Sequence, residues 1–363
     1  MQIEALRPDG AAEWQAFCHS DDGAWFWHTT DWTQFMLAAK PSGAGRSLAF
    51  AVRDGRELLA VVPLAIEGEP AELTLGGAPC WAPAVRADLD EARAAQVARV
   101  ALEHVDALAA EHGAVRAAFQ MTPLVGARAA QIFGAAAARA GYLDIGRTSQ
   151  VLELAAGTDV LRRGMSKGHR AAVKRGVGLF ALELLSGPAA THAAVHDFRA
   201  LHEAAAGWQT RPPETFDQMA EWAQRGDAVL ALARSGDGYV GGSYVSVFNR
   251  RAYYLSAAMD RSLSHQPVGH ALQWAVIEWL VARGVETYEL GLQQFGPLLH
   301  DVPTDKERSI SRFKRGFGGV LRLAPAWEKW YSPAAFRDVF TARCAAYSTA
   351  LETAATAART DST

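Results

Sequence analysis

The chain has 363 residues, 50% of them hydrophobic, and its 36 Lys and Arg residues nearly balance 39 Asp and Glu residues, giving a formal net charge of −3. This composition excludes a disordered chain and a fibre, and it is typical of a soluble globular protein with one large domain or two. The charge is uneven, because residues 1–150 carry 12 basic and 18 acidic residues whereas residues 151–363 carry 24 and 21. A uniformly basic nucleic-acid-binding surface is therefore excluded, but a basic site in the second half is not.

The cysteines and the apolar runs indicate the compartment. Cys18, Cys80 and Cys344 are too few and too scattered for a disulfide framework, and no C-x-x-C spacing exists for a structural zinc ion. The first ten residues carry charges of both signs, unlike a signal peptide. The longest strongly apolar run, Leu58 to Ile66, is about half of a bilayer span. We expect a cytoplasmic protein without a membrane span.

The first half of the chain alternates strand and helix patterns. Asp54-Gly55-Arg56 separates two β-runs, and Asp-Gly readily adopts the positive φ angle of a hairpin turn. In chain order, the predicted elements are strands at Ser47–Arg53, Glu57–Ile66 and Ala71–Leu75, a helix at Asp88–His112, a strand at Ala114–Phe119, a helix at Ala127–Ala140 and a strand at Ser149–Leu154.

The second half repeats this order. Its predicted elements are a helix at Ala189–Ala206, strands at Ala228–Arg234, Tyr239–Phe248 and Arg251–Met259, a helix at Val268–Arg283 and a strand at Thr287–Leu290. The pattern predicts two similar α/β units in tandem, residues 1–155 and 156–363. No obvious flexible linker separates them, so we expect the two units to pack tightly.

A possible anion site follows the strand Arg251–Met259. The loop after it contains Gln266-Pro-Val-Gly269-His270-Ala271, of the form Q-x-x-G-x-A, directly before a helix. Unpaired backbone N–H groups and the dipole at a helix N-terminus stabilise a phosphate or a carboxylate, and small residues allow it to approach. The alternative is an ordinary helix start with proline and glycine in its first turn.

Several longer segments occur in a characteristic order. They are Thr29-Thr-Asp-Trp32 followed by Lys40, Met165-Ser-Lys-Gly-His-Arg170-Ala-Ala-Val-Lys174, Gly207-Trp-Gln-Thr-Arg211-Pro-Pro-Glu-Thr-Phe216, Leu272-Gln-Trp-Ala-Val-Ile277 with Tyr288-Glu-Leu-Gly291, and Arg312-Phe-Lys314-Arg-Gly-Phe317-Gly-Gly319. Together with the loop above, this order resembles the GNAT N-acyltransferase superfamily, and in particular its two-lobed FemAB-like branch. The resemblance covers roughly residues 25–320. It implies two tandem GNAT-like units, each a mixed, mostly antiparallel sheet flanked by helices.

The resemblance also implies an activity. Such proteins transfer an activated acyl group to an amine by aminolysis of an ester or thioester, which needs a neutral amine, a proton acceptor and positive charge where the oxyanion develops. We favour an aminoacyl group from aminoacyl-tRNA, moved to a small-molecule or peptide amine. The alternative donor is an acyl-CoA such as acetyl-CoA, and a third possibility is a non-catalytic RNA-binding or scaffold protein. The expected co-substrate is not tightly bound, and neither DNA nor a metal is expected.

Residue roles follow from the same resemblance. It assigns Lys314 to oxyanion or donor-phosphate stabilisation and Glu289 to the base, although a surface lysine and a structural ion pair are the alternatives. It places Lys40, Arg211, Trp32 and Trp208 on the acceptor side, the two cations binding phosphates, or else a carboxylate or only solvent. The residues expected on the donor side are Gln266, Gly269, His270, Ala271, Arg170, Lys174, Arg312 and Arg315.

The cations of the donor side include a run without acidic residues. Leu161–Gly176 contains Arg162, Arg163, Lys167, Arg170, Lys174 and Arg175. On a helix, Lys167, Arg170 and Lys174 share a face that suits the phosphates of tRNA or CoA, and the alternative is a solvated basic helix.

Two shorter patterns do not predict a site. Gly164-Met-Ser166-Lys-Gly168 has the form G-x-S-x-G, but it lies in a basic helical pattern rather than at the end of an apolar strand. His192 and His196 have the spacing of two metal ligands, but no Glu follows His192 as in H-E-x-x-H, so no metal site is predicted.

Overall fold

The computed structural model describes residues 1–39, 45–236 and 238–360, with side chains up to residue 353. Its strands are β1 (Gln2–Ala5), β2 (Arg46–Ser47), β3 (Phe50–Asp54), β4 (Glu57–Val62), β5 (Ala65–Ile66), β6 (Glu72–Leu75), β7 (Ala78–Trp81), β8 (Ala84–Val85), β9 (Arg116–Gln120), β10 (Leu143–Asp144), β11 (Arg147–Glu153), β12 (Ala181–Leu185), β13 (Ala228–Ser235), β14 (Gly238–Phe248), β15 (Arg251–Met259), β16 (Thr287–Gln293), β17 (Val320–Ala324) and β18 (Ala326–Trp330).

The α-helices are α1 (Ala11–Ser20), α2 (Thr30–Ala38), α3 (Glu91–Glu111), α4 (Ala127–Arg139), α5 (Thr158–Gly164), α6 (Lys167–Leu179), α7 (His192–Ala206), α8 (Pro213–Arg225), α9 (Val268–Ala282), α10 (Asp305–Arg315) and α11 (Pro333–Thr360). The helices and strands expected from the sequence are present within a few residues of their expected bounds, except for two strands. The expected strand Ser47–Arg53 is divided into β2 and β3, and Glu57–Ile66 is divided into β4 and β5, because β2 and β5 leave the sheet of β3 and β4 and pair with each other. Within the described ranges, none of the helices combines the length and apolar character that a membrane crossing requires.

The second half of the chain is built on a sheet of seven strands, in the order β12-β13-β14-β15-β16-β11-β17. All neighbours pair antiparallel except β15 and β16, which are parallel. Helix α9 packs on this sheet through a continuous apolar face, including Leu272, Val276, Ile277 and Leu280, each at most 2% exposed. Burial of this stripe is what holds the start of α9 above the sheet.

The first half contains a five-stranded sheet, β10-β18-β9-β6-β7, beside a four-stranded sheet, β1-β3-β4-β8, and the short pair β2-β5. Here β9 is parallel to β6 and β7 and antiparallel to β18. Helices α3 and α4 pack against each other and α3 contacts both larger sheets. The mixed, mostly antiparallel sheets flanked by helices are the fold class expected from the sequence.

The sheets do not divide at residue 155. Strand β11 precedes that point but pairs with β16 and β17 in the seven-stranded sheet. Strand β18 lies near the C-terminus but pairs with β9 and β10 in the first lobe. Each lobe therefore takes one interior strand from the other side of the expected boundary, and a cut there would separate hydrogen-bonded partners.

Arg251, at the start of β15, joins the two lobes. Its guanidinium donates to the carbonyl oxygens of Asp22 (3.2 Å), Ala24 (3.1 Å) and Leu124 (3.0 Å), all in the first half of the chain. Only 9% of Arg251 is exposed, so these three carbonyls replace the water that its charge loses on burial. Nearby, Asn249 donates to the carbonyl of Cys18 at 3.1 Å.

The glycine pair after α10 lets the chain return to the sheet. Gly319 has φ of +82°, and a Cβ built there would lie 2.2 Å from the carbonyl oxygen of Val151 in β11. A side chain at this position would clash with the backbone of β11, and the positive φ angle of the residue would also be strained. The close approach brings α10 against the end of β16, where the candidate site lies.

We expect Gly319→Ala to lower the free energy of unfolding by about 2–3 kcal/mol, because strain at positive φ adds to a backbone clash. Gly284→Ala is the matched control, since Gly284 also has positive φ, +69°, but its built Cβ meets nothing within 4 Å. In Gly284→Ala the free energy of unfolding should fall by about 1 kcal/mol, which is the cost of the left-handed conformation alone. Chemical denaturation of both variants measures the difference, and equal losses would contradict this account.

Candidate functional site

A wedge opens between β15 and β16. The two strands pair over only three positions, Arg251↔Thr287, Ala252↔Tyr288 and Tyr253↔Glu289. Beyond these, β15 stays with β14 and β16 stays with β11, so their carboxyl ends diverge. Divergence leaves the inner backbone edges of both strands open to a ligand just beyond Glu289.

Helix α9 begins beside the end of β15. Its N-cap, Pro267, provides no side-chain hydrogen bond to the first turn, so no side chain of the described residues caps these N–H groups. A Cβ built on Gly269 would lie 3.1 Å from the sulfur of Met259 and 3.5 Å from the ring of Phe313. Helix α6 also packs closely, since a Cβ on Gly176 would lie 2.8 Å from the carbonyl oxygen of Pro267. The arrangement is a helix N-terminus that can accept an anion.

Glu289 is a buried carboxylate on β16, with 4% exposure. Ser149 donates to Oε1 at 2.6 Å, and Thr122 donates to Oε2 at 2.8 Å. Burial raises the pKa of Glu289, whereas the two hydroxyl donors and the nearby Lys314 ammonium act in the opposite direction. Both oxygens are therefore engaged by the protein, which suits a group that holds a neighbouring cation in place.

Lys314 lies in the last turn of α10 and reaches the bulge in β16. The register of β11 and β16 shifts so that Gln150 faces Gly291 and Val151 faces Glu289. Gly291 has φ of +103°, and a Cβ built there would lie 2.7 Å from the Lys314 Nζ. Burial lowers the pKa of Lys314 to about 8, with Glu289 opposing the shift. The amine can therefore exist in both protonation states near neutral pH.

Aromatic rings connect this point with Arg211. The Tyr253 hydroxyl lies beside Gly291, 3.7 Å from a Cβ built there, and its ring centroid is 5.0 Å from that of Trp27. The series continues to Trp32 (4.0 Å) and then from Trp32 to Phe35 (5.3 Å), over which the Arg211 guanidinium lies at 5.4 Å. A row of largely buried aromatic side chains, called the aromatic wall below, thus runs from the lysine to the arginine.

Arg211 is a largely buried cation in the segment between α7 and α8. Its guanidinium also lies 4.7 Å from the ring centroid of Phe216, and Nη2 is 3.7 Å from the sulfur of Met219. Its Nε is buried with no hydrogen-bond partner, and no carboxylate of the described residues pairs with it. Burial lowers the pKa of Arg211 to about 10. An unpaired buried cation of this kind can receive an anionic ligand.

The other residues expected on the acceptor side are placed differently. Trp32 is 5% exposed and lies within the aromatic wall, whereas Trp208 is 64% exposed, on the same segment as Arg211. Lys40 falls outside the described residues.

The residues expected on the donor side lie around the start of α9. Four of them are near neighbours in the sequence at this point, namely Gln266, Gly269, His270 and Ala271, and Ala271 is buried. The His270 ring contacts His169 (4.5 Å between centroids) and two phenylalanines of the motif that contains Lys314. Burial, followed by the charges of His169 and Arg175, lowers the pKa of His270 to about 4.

The four cations expected on the donor side lie on two helices, α6 and α10. On α6, Arg170 donates to the carbonyl of Arg163 at 3.2 Å and to that of Met165, at the end of α5, while Lys174 is exposed. On α10, Arg312 is exposed, and Arg315 donates to the Gln293 side chain at 2.9 Å. Arg170 and Arg315 thus have protein partners, and Lys174 and Arg312 face solvent.

Sequence reasoning missed Thr122, Ser149 and Tyr253, which surround Glu289 and Lys314. No local pattern marks them, because Thr122 and Ser149 lie 167 and 140 residues from Glu289 along the chain. It also missed α10, although Thr304 and Glu307 form a capping box at its start, and that signal is visible as T-x-x-E.

Comparisons with known proteins bear on the fold and on the second half of the chain. Residues 160–298 match the family described as Acetyltransferase (GNAT) domain, a range that includes Glu289 but not Lys314. A search of curated proteins finds no match.

Three solved structures share the fold over nearly the whole chain. FemX has a TM-score of 0.66 at 13% identity, covering 94% of this chain and 100% of that one. L-PGS from Bacillus licheniformis has a TM-score of 0.59 at 13% identity, covering 93% and 95%. A tandem GNAT protein from the clavulanic acid biosynthesis pathway has a TM-score of 0.52 at 16% identity, covering 92% and 99%. At these identities the likeness concerns the fold.

The fold and the matched domain define a class. The chain has the two-lobed GNAT fold that FemX, L-PGS and the tandem GNAT protein share, and its second lobe carries the GNAT acetyltransferase domain. The matched domain makes it an acyltransferase of the GNAT fold, and its two-lobed fold is the one that the sequence motifs led us to expect.

We expect Glu289→Gln to lower the pKa of Lys314 further below about 8, because the substitution removes the carboxylate that favours the ammonium form. The measurement is the pH dependence of Lys314 acetylation by acetic anhydride, followed by mass spectrometry. The modification of exposed Lys174 in the same sample serves as the control and should not change between the two proteins. An unchanged or raised Lys314 pKa would show that the two groups are not electrostatically coupled.

Proposed function

We propose that this protein transfers an aminoacyl group from aminoacyl-tRNA to the amine of a small-molecule or peptide acceptor, forming an amide. The amine nitrogen attacks the ester carbonyl carbon, the new C–N bond forms, and the bond to the ribose oxygen breaks. The proton lost by the amine ends on that ribose oxygen. The observation that carries the proposal is the Lys314 ammonium beside Gly291 at the wedge between β15 and β16, with the ring of the preceding Phe313 against the uncapped first turn of α9.

Lys314 suits the charge that develops in this reaction. As an ammonium it can donate to the oxyanion of the tetrahedral intermediate, and its partly buried position strengthens that interaction. Glu289 keeps the ammonium form available although burial lowers the lysine pKa. Because Ser149 and Thr122 already occupy both Glu289 oxygens, we assign Glu289 a positioning role and reserve direct proton transfer for the amine and Lys314.

The basic surface beside α9 supports tRNA as the donor. Helices α5 and α6 expose six cations in a segment with a single acidic residue, Asp159, at its start, and α6 packs directly on the first turn of α9. A polynucleotide presents phosphates over such a surface, whereas a single small donor reaches only part of it. The exposed cations are Arg162, Arg163, Lys167, Arg170, Lys174 and Arg175.

An acyl-CoA is the second candidate donor. It is favoured by the match of residues 160–298 to the GNAT acetyltransferase domain and by the Q-x-x-G-x-A loop before α9. The uncapped first turn of α9 suits a pyrophosphate equally well, so the donor has to be distinguished by experiment.

The acceptor side is proposed to extend along the aromatic wall towards Arg211. The wall connects the reacting amine near Lys314 with a buried cation that has no carboxylate partner among the described side chains. We therefore propose an acceptor with an amine at one end and an anionic group, a phosphate or carboxylate, at the other.

A donor assay tests the proposed function. The protein is incubated with radiolabelled aminoacyl-tRNAs or with acetyl-CoA and a library of amines, with and without RNase. We expect RNase-sensitive amide product, and we expect Lys314→Met to lower kcat by about 10²–10³-fold, as for loss of one oxyanion donor.

Lys306→Met is the matched control for the lysine, because Lys306 is exposed at the start of the same helix. It should keep the activity of the unaltered protein. Product formed only from CoA esters would replace the tRNA proposal by the second candidate. Product from no donor would overturn the catalytic reading and favour a scaffold or RNA-binding role.

We expect pyrophosphate, used as an anion probe, to raise the thermal unfolding midpoint through Arg211, because a ligand that binds the folded state stabilises it. Arg211→Met should reduce the shift to the part that pyrophosphate causes at the first turn of α9, without lowering stability in the absence of the anion, since it removes an unpaired buried charge. Arg283→Met is the control, because Arg283 also lies over an aromatic ring, Trp279, but away from the site. A shift of unchanged size in Arg211→Met would exclude Arg211 as an anion ligand.

A further inference from the structure

A cluster of metal-binding side chains lies outside the site described above. His192 and His196 are one helical turn apart on α7, and Asp217 projects from the second turn of the neighbouring α8. One potential ligand atom of each residue lies within 4.8 Å of the other two. Asp217 thus offers a third potential ligand from another helix, which the sequence spacing cannot show.

We infer that His192, His196 and Asp217 form a site for a divalent transition metal, with Zn²⁺ as the expected ion. The Oδ1 of Asp217 lies 3.2 Å from Nδ1 of His192 and 2.9 Å from Nε2 of His196. In a tetrahedral zinc site with bonds of about 2.0–2.2 Å, neighbouring ligand atoms are about 3.3–3.5 Å apart. Small side-chain rotations therefore convert the observed hydrogen bonds into a metal site.

The donor set defines the class of ion. Two imidazole nitrogens and one carboxylate oxygen suit Zn²⁺ and neighbouring transition metals, whereas Ca²⁺ and Mg²⁺ prefer sites made of oxygen ligands. Three protein ligands leave a fourth position for water. All three side chains are partly exposed, so the ion can enter from solvent without a conformational change.

Arg199 is a neighbour that opposes the site. Its Nη1 lies 3.4 Å from Nδ1 of His196, on the other side of the imidazole ring. Metal binding at Nε2 places the ring proton on Nδ1, so Arg199 has to turn away from His196. Glu203 allows this movement, because it already accepts an ion pair from Arg199 Nε at 3.2 Å.

The location gives the ion a structural role. Helices α7 and α8 pack together and are joined by residues 207–212, the segment that carries Trp208 and Arg211. A metal bound between them fixes the spacing of the two helices that flank this segment. The inference does not depend on which donor or acceptor the protein uses.

The test uses untagged full-length protein treated with a chelator and titrated with ZnCl₂ by calorimetry. We expect one Zn²⁺ per chain and a rise in the thermal unfolding midpoint, because binding to the folded state stabilises it. Both effects should be lost in His192→Gln/His196→Gln. Asp217→Asn should weaken binding by more than the about 10–100-fold that follows loss of an outer-shell partner.

The matched control is His19→Gln/His112→Gln, which removes two histidines far from the cluster, on α1 and just after α3. It should bind Zn²⁺ as tightly as the unaltered protein. Cobalt(II) substitution should in addition give the absorption bands of a tetrahedral site in the control but not in the cluster variants. Equal Zn²⁺ affinity in the unaltered protein and both cluster variants would overturn the inference, as would loss of binding in the control alone.

Discussion

The buried carboxylate of Glu289 is the constraint on which the rest of the site depends. Removing a charge from water costs several kcal/mol unless hydrogen bonds and an opposite charge compensate it. Glu289 obtains these from Thr122 after β9, Ser149 in β11 and Lys314 in α10. Three segments from both lobes must therefore meet at one position of β16. The same contacts place Lys314 at the wedge. The contacts that stabilise the charge of Glu289 are therefore also the contacts that set the geometry of the candidate site.

The two lobes need a rigid relation for that meeting to occur. Strand β11 lies in the second sheet and β18 in the first, so the backbone ladders themselves join the two halves. Arg251 then fastens the start of β15 to three carbonyls of the first lobe. Because β15 is one side of the wedge, this arginine also orients the wedge towards Thr122. The strand exchange explains why the boundary at residue 155 is visible as a repeat of elements but not as a division of the sheets.

Local sequence patterns predicted helices and strands, but they could not predict which residues of distant segments face each other in the fold. Strands such as Tyr239–Phe248 and the helix from Val268 follow from their apolar residues and flanking glycines, and they are present. Helix α10 is strongly polar and Ser311 is its one buried residue, so it lacks the buried apolar residues by which the other helices were found, and its capping box is the signal that was missed. Lys314 and Glu289 were named through family resemblance. Thr122, Ser149 and Tyr253 could not be, because only the sheet register and the bulge at Gly291 bring them to the same point.

The groups around α9 form two regions that the amino-acid composition alone does not distinguish. One is an aromatic cluster beside the wedge, and the other is a basic surface outside it. His270 and His169 lie in an aromatic cluster with Phe313 and Phe317, and burial lowers the pKa of both histidines. With a pKa of about 4, His270 is neutral at physiological pH, so this cluster adds little charge next to the wedge.

The positive charge of this region lies outside the cluster, on the exposed side of α5 and α6, where solvent and salt reach the basic side chains. We propose that an anionic donor is attracted by this surface, whose field salt screens, and that its acyl end meets Lys314 beside the apolar cluster of Phe313 and Phe317. Binding should depend on ionic strength far more than the chemical step does, because only the first involves exposed charges.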